Sequence, residues 1–290
     1  MNEPAISLKT LLMTGFVFLF LSLVLVGLSI INNKTKIVFC DVGQGDGAYI
    51  RTVNNIDILI DAGPSKNILT CLGKYMPLYD RTIEYALLSH FQTDHYGGYS
   101  YILERYKINN FIITKSQNKT KKAQELSKLI KQKVRSTIEI QSGDKIVLSN
   151  KSGLLFLWPD KEVMSYLTDT NETSQVVLFY QDNFQALFTG DITPDRLSMI
   201  LHTKLHLAQG DRLDVLKIPH HGSRHNLNKQ ILELADPILS VISVGKSNSY
   251  NLPSSDVLDL LKTLKLSFLL TSELGDVIIE YKSGSWQIKK

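Results

Sequence analysis

The sequence predicts an α/β sandwich, two mixed sheets covered by helices, preceded by one membrane-spanning helix. Three observations carry that expectation. An uncharged apolar run extends from Leu11 to Ile31, apolar strand-like segments separated by helical stretches recur in both halves of the remaining chain, and histidines and aspartates collect where those segments end. The chain has 290 residues, 43% of them hydrophobic and 21% charged, which is enough to bury a large core. Gly (17), Pro (8) and Cys (2) are too scarce for disorder, collagen or a disulfide scaffold. A polytopic membrane protein is excluded because only one long uncharged apolar stretch exists. The net charge of +4 suits an anionic partner without identifying one.

Taken in order, the apolar run comes first. No charge lies between Lys9 and Lys34, and as a helix rising ~1.5 Å per residue the run spans roughly 30 Å, a bilayer's hydrocarbon core. A core helix seldom stays apolar on every face for so long, and VGLSIINN lacks a small-x-small cleavage site, so an uncleaved anchor over residues 1–35 is expected. Lys34 and Lys36 against Lys9 lean weakly toward a cytoplasmic C-terminal side.

From residue 36 to 290 a single domain is expected. KIVFCDV and AYIRTV read as strands flanking the turn GQGDG, and IDILIDAG as a third strand. YALLSH is a short buried strand running into a polar loop. Tyr101–Tyr106 and Lys121–Val134 have helical composition, with FIITK and TIEIQ as short strands. LLFLWP, SQVVLFYQ, FQALFTGD and LDVLKIPHH follow as four apolar strands. The tail carries ILSVISVG, a helix over Ser255–Lys265, LSFLLTS and DVIIEYKSG. Cys40 and Cys71 are free to pair or to remain thiols.

Five of the seven histidines, His90, His95, His220, His221 and His225, lie at or just beyond a strand end, as do Asp61, Asp94 and Asp191. His202 and His206 fall in a helical stretch, Arg196–Leu207, where surface roles are expected. Strand ends share one sheet edge, so separate segments can deliver ligands to one cleft. Any single histidine is as readily a strand cap, but five together beside acids and glycines point to a zinc or manganese site.

These residues resemble a known family. HFQTDHYGG is similar to the HxHxDH-type loop of the metallo-β-lactamase fold. DVGQGD (Asp41–Asp46), IDAG, SHxxxDHxGG, NxxSxVL (Asn171, Ser174, Val177, Leu178), FTGD and HHGS resemble, in order, the C-terminal hydrolase domain of the ComEC competence proteins across nearly all of residues 37–290. The resemblance implies an αββα sandwich with a two-metal site. Asp94, His95 and His221 would hold one ion with Asp191 bridging, while His220 would face a substrate phosphate. His90, the residue at 92 and a group near Asn171 would surround the other ion. Asp61 would fix the histidine loop by hydrogen bonding, and the turn bearing Gln44 and Asp46 would line the cleft. Ser174, Ser223 and Arg224 complete the expected substrate-side set, Ser223 or Arg224 sharing with His220 the charge that builds on phosphorus.

Two positions depart from the family pattern. Gln92 stands where Asp or His is usual, and Leu252, in Tyr250-Asn251-Leu252-Pro253, stands where histidine is usual. An amide oxygen is a poor metal donor and leucine is none, so one firmly held metal is expected, with the second weak or absent.

The function expected is that of a single-pass membrane metallo-hydrolase cleaving phosphodiesters, with DNA as substrate as in competence DNA uptake. The resemblance implies a hydrolase domain outside the cytoplasm, against the weak lysine bias, and a separate channel subunit as partner. The basic stretch Lys115–Lys133 is a candidate nucleic-acid contact, against the commoner reading of a solvated helix face. The alternatives are hydrolysis of another phosphoester, or a catalytically impaired metal-binding module that tethers DNA or a protein at the membrane.

Overall fold

A computed structural model of the chain describes residues 7–31, 34–114, 120–164, 166–167, 169–203 and 212–289. It divides into two compact units, residues 1–34 and 35–290.

The first unit is helix α1, Leu8–Ile31. Consecutive side chains from Phe16 to Leu21 are all exposed, so the helix is apolar around its whole circumference. Side chains are described without a break only over residues 8–24, and within what is described no helix is long and apolar enough to cross a membrane.

The second unit contains two sheets. The first has the order β15-β14-β1-β2-β3-β4-β5-β6. Its strands are β1 (Thr35–Phe39), β2 (Gly47–Arg51), β3 (Asp57–Ala62), β4 (Thr82–Leu87), β5 (Lys107–Ile113), β6 (Ser136–Glu139), β14 (Val277–Lys282) and β15 (Ser285–Lys289). The second runs β13-β12-β11-β10-β9-β8-β7. It comprises β7 (Lys145–Ser149), β8 (Ser152–Trp158), β9 (Val176–Gln181), β10 (Phe184–Phe188), β11 (Val215–Lys217), β12 (Leu239–Ile242) and β13 (Ser267–Leu270). Helices α2 (Asn67–Tyr75), α3 (Thr93–Tyr96), α4 (Tyr99–Ile102) and α5 (Lys121–Lys133) belong to the first half. Helices α6 (Pro194–Thr203), α7 (Lys229–Ala235), α8 (Ser255–Thr263) and α9 (Thr271–Leu274) belong to the second.

The period-2 alternation of strand side chains builds the layers. In β1, Ile37 and Phe39 point between the sheets, where they meet Phe156, Phe179 and Phe188. Val38 points the other way, into the cluster holding Ile68 and Leu72 of α2 and Ala123, Leu126 and Ile130 of α5. On the far side of the second sheet, Leu187 and Leu216 pack with Leu197 and Ile200 of α6 and Ile231 of α7. Each such side chain contributes ~1.5–3 kcal/mol on burial. The expected αββα sandwich is the fold observed.

Local readings differ in places. The helix expected at Tyr101–Tyr106 is instead Tyr99–Ile102, because Lys107 must begin β5 beside Thr82 of β4. Helices α2 and α7 and strands β7 and β15 were not anticipated. His206, and Lys115 and Lys119 of the basic stretch, lie outside the described residues, and His202 is an exposed residue of α6.

Strands β3 to β6 are parallel, as are β10 to β13, so each set places its C-terminal ends together. Asp61 ends β3, Ser89 and His90 follow β4, Asp191 follows β10, and His220 and His221 follow β11. The ligand-bearing loops therefore share one edge of the sandwich.

Candidate metal centre

Asp191 is the hub. It is fully buried, and its Oδ2 lies 3.4 Å from His95 Nε2, 3.6 Å from His220 Nε2, 3.8 Å from His221 Nε2 and 3.9 Å from His90 Nε2. His221 Nε2 is also 3.3 Å from Asp94 Oδ2. Ligand atoms of Asp94, His95, Asp191 and His221 all lie within 4.8 Å of one another. His220 and His221 reach this point by adopting left-handed backbone conformations, φ 48° and 53°, which cost on the order of 1–3 kcal/mol each.

The opposite ring nitrogens explain why four Nε2 atoms face one carboxylate. His221 Nδ1 lies 3.0 Å from the Ser243 carbonyl and 3.2 Å from Asp46 Oδ1, acceptors only. His95 Nδ1 lies 2.8 Å from Asp61 Oδ2. Ser89 Oγ donates to Asp61, so it accepts from His90 Nδ1 at 3.0 Å. The Asn226 amide donates to the carbonyls of Asp191 and Ile192, leaving its Oδ1 to accept from His220 Nδ1 at 2.9 Å. Every Nδ1 thus carries a hydrogen, so each ring, once its Nε2 is deprotonated, turns that lone pair to the centre. This is how ligating histidines are oriented in metal sites.

The orphaned atoms fit a cation. Among the described residues, His90 Nε2, His95 Nε2 and both Asp191 carboxylate oxygens are buried without a hydrogen bond, an expensive arrangement that a divalent ion between them would relieve.

The charges agree. Burial opposes a charged His221, but Asp191, Asp46 and Asp94 outweigh it and push the imidazole up to about 9. His95 is raised in the same way, burial being overcome by Asp191 and Asp61. Burial, helped by the His95 charge, pushes His90 down to about 3, which keeps it a neutral donor. For Asp191, burial is overcome by His95, His221 and His90, which hold the carboxyl well below its ordinary range. A pocket that draws protons onto imidazoles by its carboxylates has the field to draw a metal ion instead.

Asp46, Asp61 and His95 form a second group with ligand atoms within 4.8 Å. That group already has a cation. The buried ammonium of Lys217, on β11, forms an ion pair with Asp46, and Phe39, Phe188 and Ser243 close the small cavity around it. Sequence reasoning missed Lys217, although a lysine inside the apolar strand LDVLKIP is the signal that could have found it. Ser89 and Asn226 were also missed as orienting residues.

Other expected site residues divide. Gln44 Oε1 accepts from the Gly245 amide at 3.2 Å, which ties the GQGDG turn to the end of β12. Ser174 Oγ accepts from the Asp191 amide at 3.1 Å. Gln92 Nε2 donates to Thr170 Oγ1 at 3.1 Å and to Asn171 Oδ1, so its amide is engaged with that loop. Ser223 is buried, and its Oγ accepts from the His225 amide. Arg224 is exposed and reaches toward Asp256 at 3.8 Å. His225 is likewise exposed, beside Arg224. Leu252 is half-buried, on the loop that packs against Gly222.

The chain and its fold have relatives among known proteins. Residues 41–246 match the model of the metallo-beta-lactamase superfamily. The chain is 22% identical over 295 residues to ComE operon protein 3 of Bacillus subtilis, covering 96% of this chain and 37% of that protein. It is 25% identical over 260 residues to Recombination protein 2 of Haemophilus influenzae, covering 86% and 29% respectively. It thus spans about a third of the length of these curated relatives. Among solved structures, Igni18, a metallo hydrolase from the archaeon Ignicoccus hospitalis, superposes with a TM-score of 0.54 at 14% identity, covering 85% of this chain and 100% of that one. With most of its length matched by the family model, and with the histidines and aspartates of that match gathered at one sandwich edge, the chain belongs to the metallo-beta-lactamase superfamily.

Proposed function

We propose that this chain is a membrane-anchored, metal-dependent phosphodiesterase acting on DNA. The observation that carries the reading is the convergence of four oriented imidazole Nε2 atoms with Asp94 on the unsatisfied Asp191 carboxylate. Asp94, His95, Asp191 and His221 would hold one zinc or manganese ion firmly. When bound, that ion supplies Lewis-acid polarisation of a phosphoryl oxygen and a water that ionises near neutral pH. A second ion is held weakly or not at all, since Gln92 bonds to Thr170 and Asn171, and the charge beside Asp46 comes from Lys217.

The chain's own groups divide the remaining work. Asp94, partly exposed at the mouth, orients the attacking water. Among the four imidazoles, His220 is the one whose side chain is substantially exposed, at 30%, so it faces substrate. With its ring oriented by Asn226, His220 would stand beside a phosphoryl oxygen of the substrate.

DNA is chosen because the relatives are named for a competence operon and for recombination. The apolar circumference of α1 supports anchoring, and a Cys40–Cys71 disulfide supports an extracytoplasmic domain, since such bonds persist in oxidising compartments. Transport of a strand across the membrane would fall to a separate channel subunit.

The purified chain, assayed with Mn²⁺ or Zn²⁺ on single- and double-stranded DNA, should cleave it. Asp94→Ala and His221→Ala should each lower cleavage by at least ~10²-fold, and Gln92→Asp should raise it by supplying the missing carboxylate. Cleavage that survives both alanine variants would remove the proposed site. Metal bound in a near-stoichiometric amount without hydrolysis of any nucleic acid would favour the tethering module.

A further inference from the structure

The strand directions of the first sheet sort its loops to two ends. The metal centre occupies the end where β3 and β4 finish. At the opposite end the chain enters the domain at Thr35, and β1 pairs there with the finish of β2, Lys36 beside Arg51. The starts of β4, β5 and β6 lie at that same end, Thr82 beside Lys107 and Asn110 beside Ser136.

The loop before β4 is unusual for a soluble surface. The Asp80 amide donates to the Pro77 carbonyl at 2.9 Å, closing a turn whose two central residues are Leu78 and Tyr79. Their relative exposures are 83% and 78%. Turn tips ordinarily carry Gly, Asn, Asp or Ser, not two adjoining large apolar side chains. The turn is held rigidly: Arg51 bonds Asp80 at 3.1 Å, Asp80 Oδ1 accepts from the Thr82 amide at 3.1 Å, and Arg81 donates to the Tyr106 hydroxyl at 2.8 Å. Around it Arg81, Lys107, Lys133 and Arg135 are exposed, with Glu104 as the nearby exposed acid and Asp80 already paired.

We infer that this end of the domain docks on an anionic lipid surface, with Leu78 at the acyl boundary, Tyr79 among the headgroups and the basic side chains on lipid phosphates. Leucine and tyrosine are suited to those two depths, and basic groups beside them add attraction to anionic lipid. The inference rests on the reading that α1 is a membrane anchor, since Thr35 begins the strand only a few residues after Ile31. It also turns the metal centre, at the other sheet end, away from the bilayer and toward the aqueous phase that carries the substrate. The C-terminal end of the basic helix α5 then serves lipid rather than nucleic acid.

The test uses the whole chain reconstituted into vesicles of equal parts phosphatidylglycerol and phosphatidylcholine. Leu78→Trp is compared with Tyr250→Trp, an exposed position on the loop that packs against Gly222 at the metal end. Lipids spin-labelled just below the headgroup should quench the tryptophan at 78 several-fold more than the one at 250. Adding Arg81→Glu and Lys107→Glu should reduce that difference. Equal quenching at the two positions, with the protein still floating with the vesicles, overturns the docking surface and leaves the anchor standing. Protein that does not float with vesicles overturns the anchor and this inference with it. Emission at 78 that responds to an oligonucleotide and not to anionic lipid assigns the basic end to nucleic acid and also overturns it.

Discussion

Asp191 shows what a single carboxylate contributes when the fold surrounds it with lone pairs. Its two oxygens have no donor among the described residues, while four imidazoles stand 3.4–3.9 Å away. In the metal-free chain His95 and His221 are where protons collect, and this sets a pH dependence. Burial alone would lower His221, but the carboxylates win and push it up to about 9, above the 6.5 of an ordinary histidine. A group with a raised folded pKa contributes stability that is complete below the unfolded value and is lost as pH rises through the folded one. The metal-free protein should therefore lose stability between pH 6.5 and about 9. Apparent metal affinity should rise over the same window, because the ion must displace that proton. Calorimetric titration with Zn²⁺ in two buffers of different ionisation enthalpy reads the effect directly: proton release below about pH 9 is expected, and none would mean that His221 is no ligand.

At the scale of elements, two loops from different strand ends interlock. The turn GQGDG sits against the histidine loop, the Asp46 amide donating to the Asp94 carbonyl at 3.1 Å. Gly45 makes the approach possible: its φ is 146°, and a Cβ there would collide with the Asp94 carbonyl oxygen. Gly45→Ala should destabilise the domain by about 1–3 kcal/mol and weaken metal binding by roughly 10–100-fold, the scale expected when a ligand's support is disturbed. Urea denaturation and metal titration check the two halves separately. Gly73→Ala is the control, since its Cβ meets open space in α2 and should be neutral or slightly stabilising. Lost stability with unchanged metal affinity would limit the turn to a folding role.

For the whole molecule, the Cys40–Cys71 bond joins the end of β1 to α2 across 31 residues, with Cα atoms 5.8 Å apart. It closes the segment that contains the GQGDG turn, β2, β3 and Asp61, and both cysteines are buried. Closing a loop of that length constrains the unfolded chain and contributes about 2–4 kcal/mol. Replacing both cysteines by serine should lower Tm by on the order of 10 °C in a domain this large. A reductant present during unfolding should lower the parent's Tm toward that of the double variant and leave the variant itself unmoved. A parent indifferent to reductant throughout would show that the bond adds nothing to the fold.

Much of the candidate site was legible in the chain, because strand ends and their polar residues are local features. HFQTDHYGG, FTGD and HHGS each set, at the end of an apolar strand, donors that a core does not hold without a partner. What the residues do to one another was decided only by tertiary structure. The partner of Lys217 comes from a turn more than a hundred positions earlier in the chain, and Arg224 turns outward to Asp256. Gln92 is committed to Thr170, and Cys40 finds Cys71. The reason is physical. Periodicity reports on neighbours two to four residues apart, whereas pairing a buried charge and choosing a histidine tautomer depend on which acceptors two packed sheets bring to the same point.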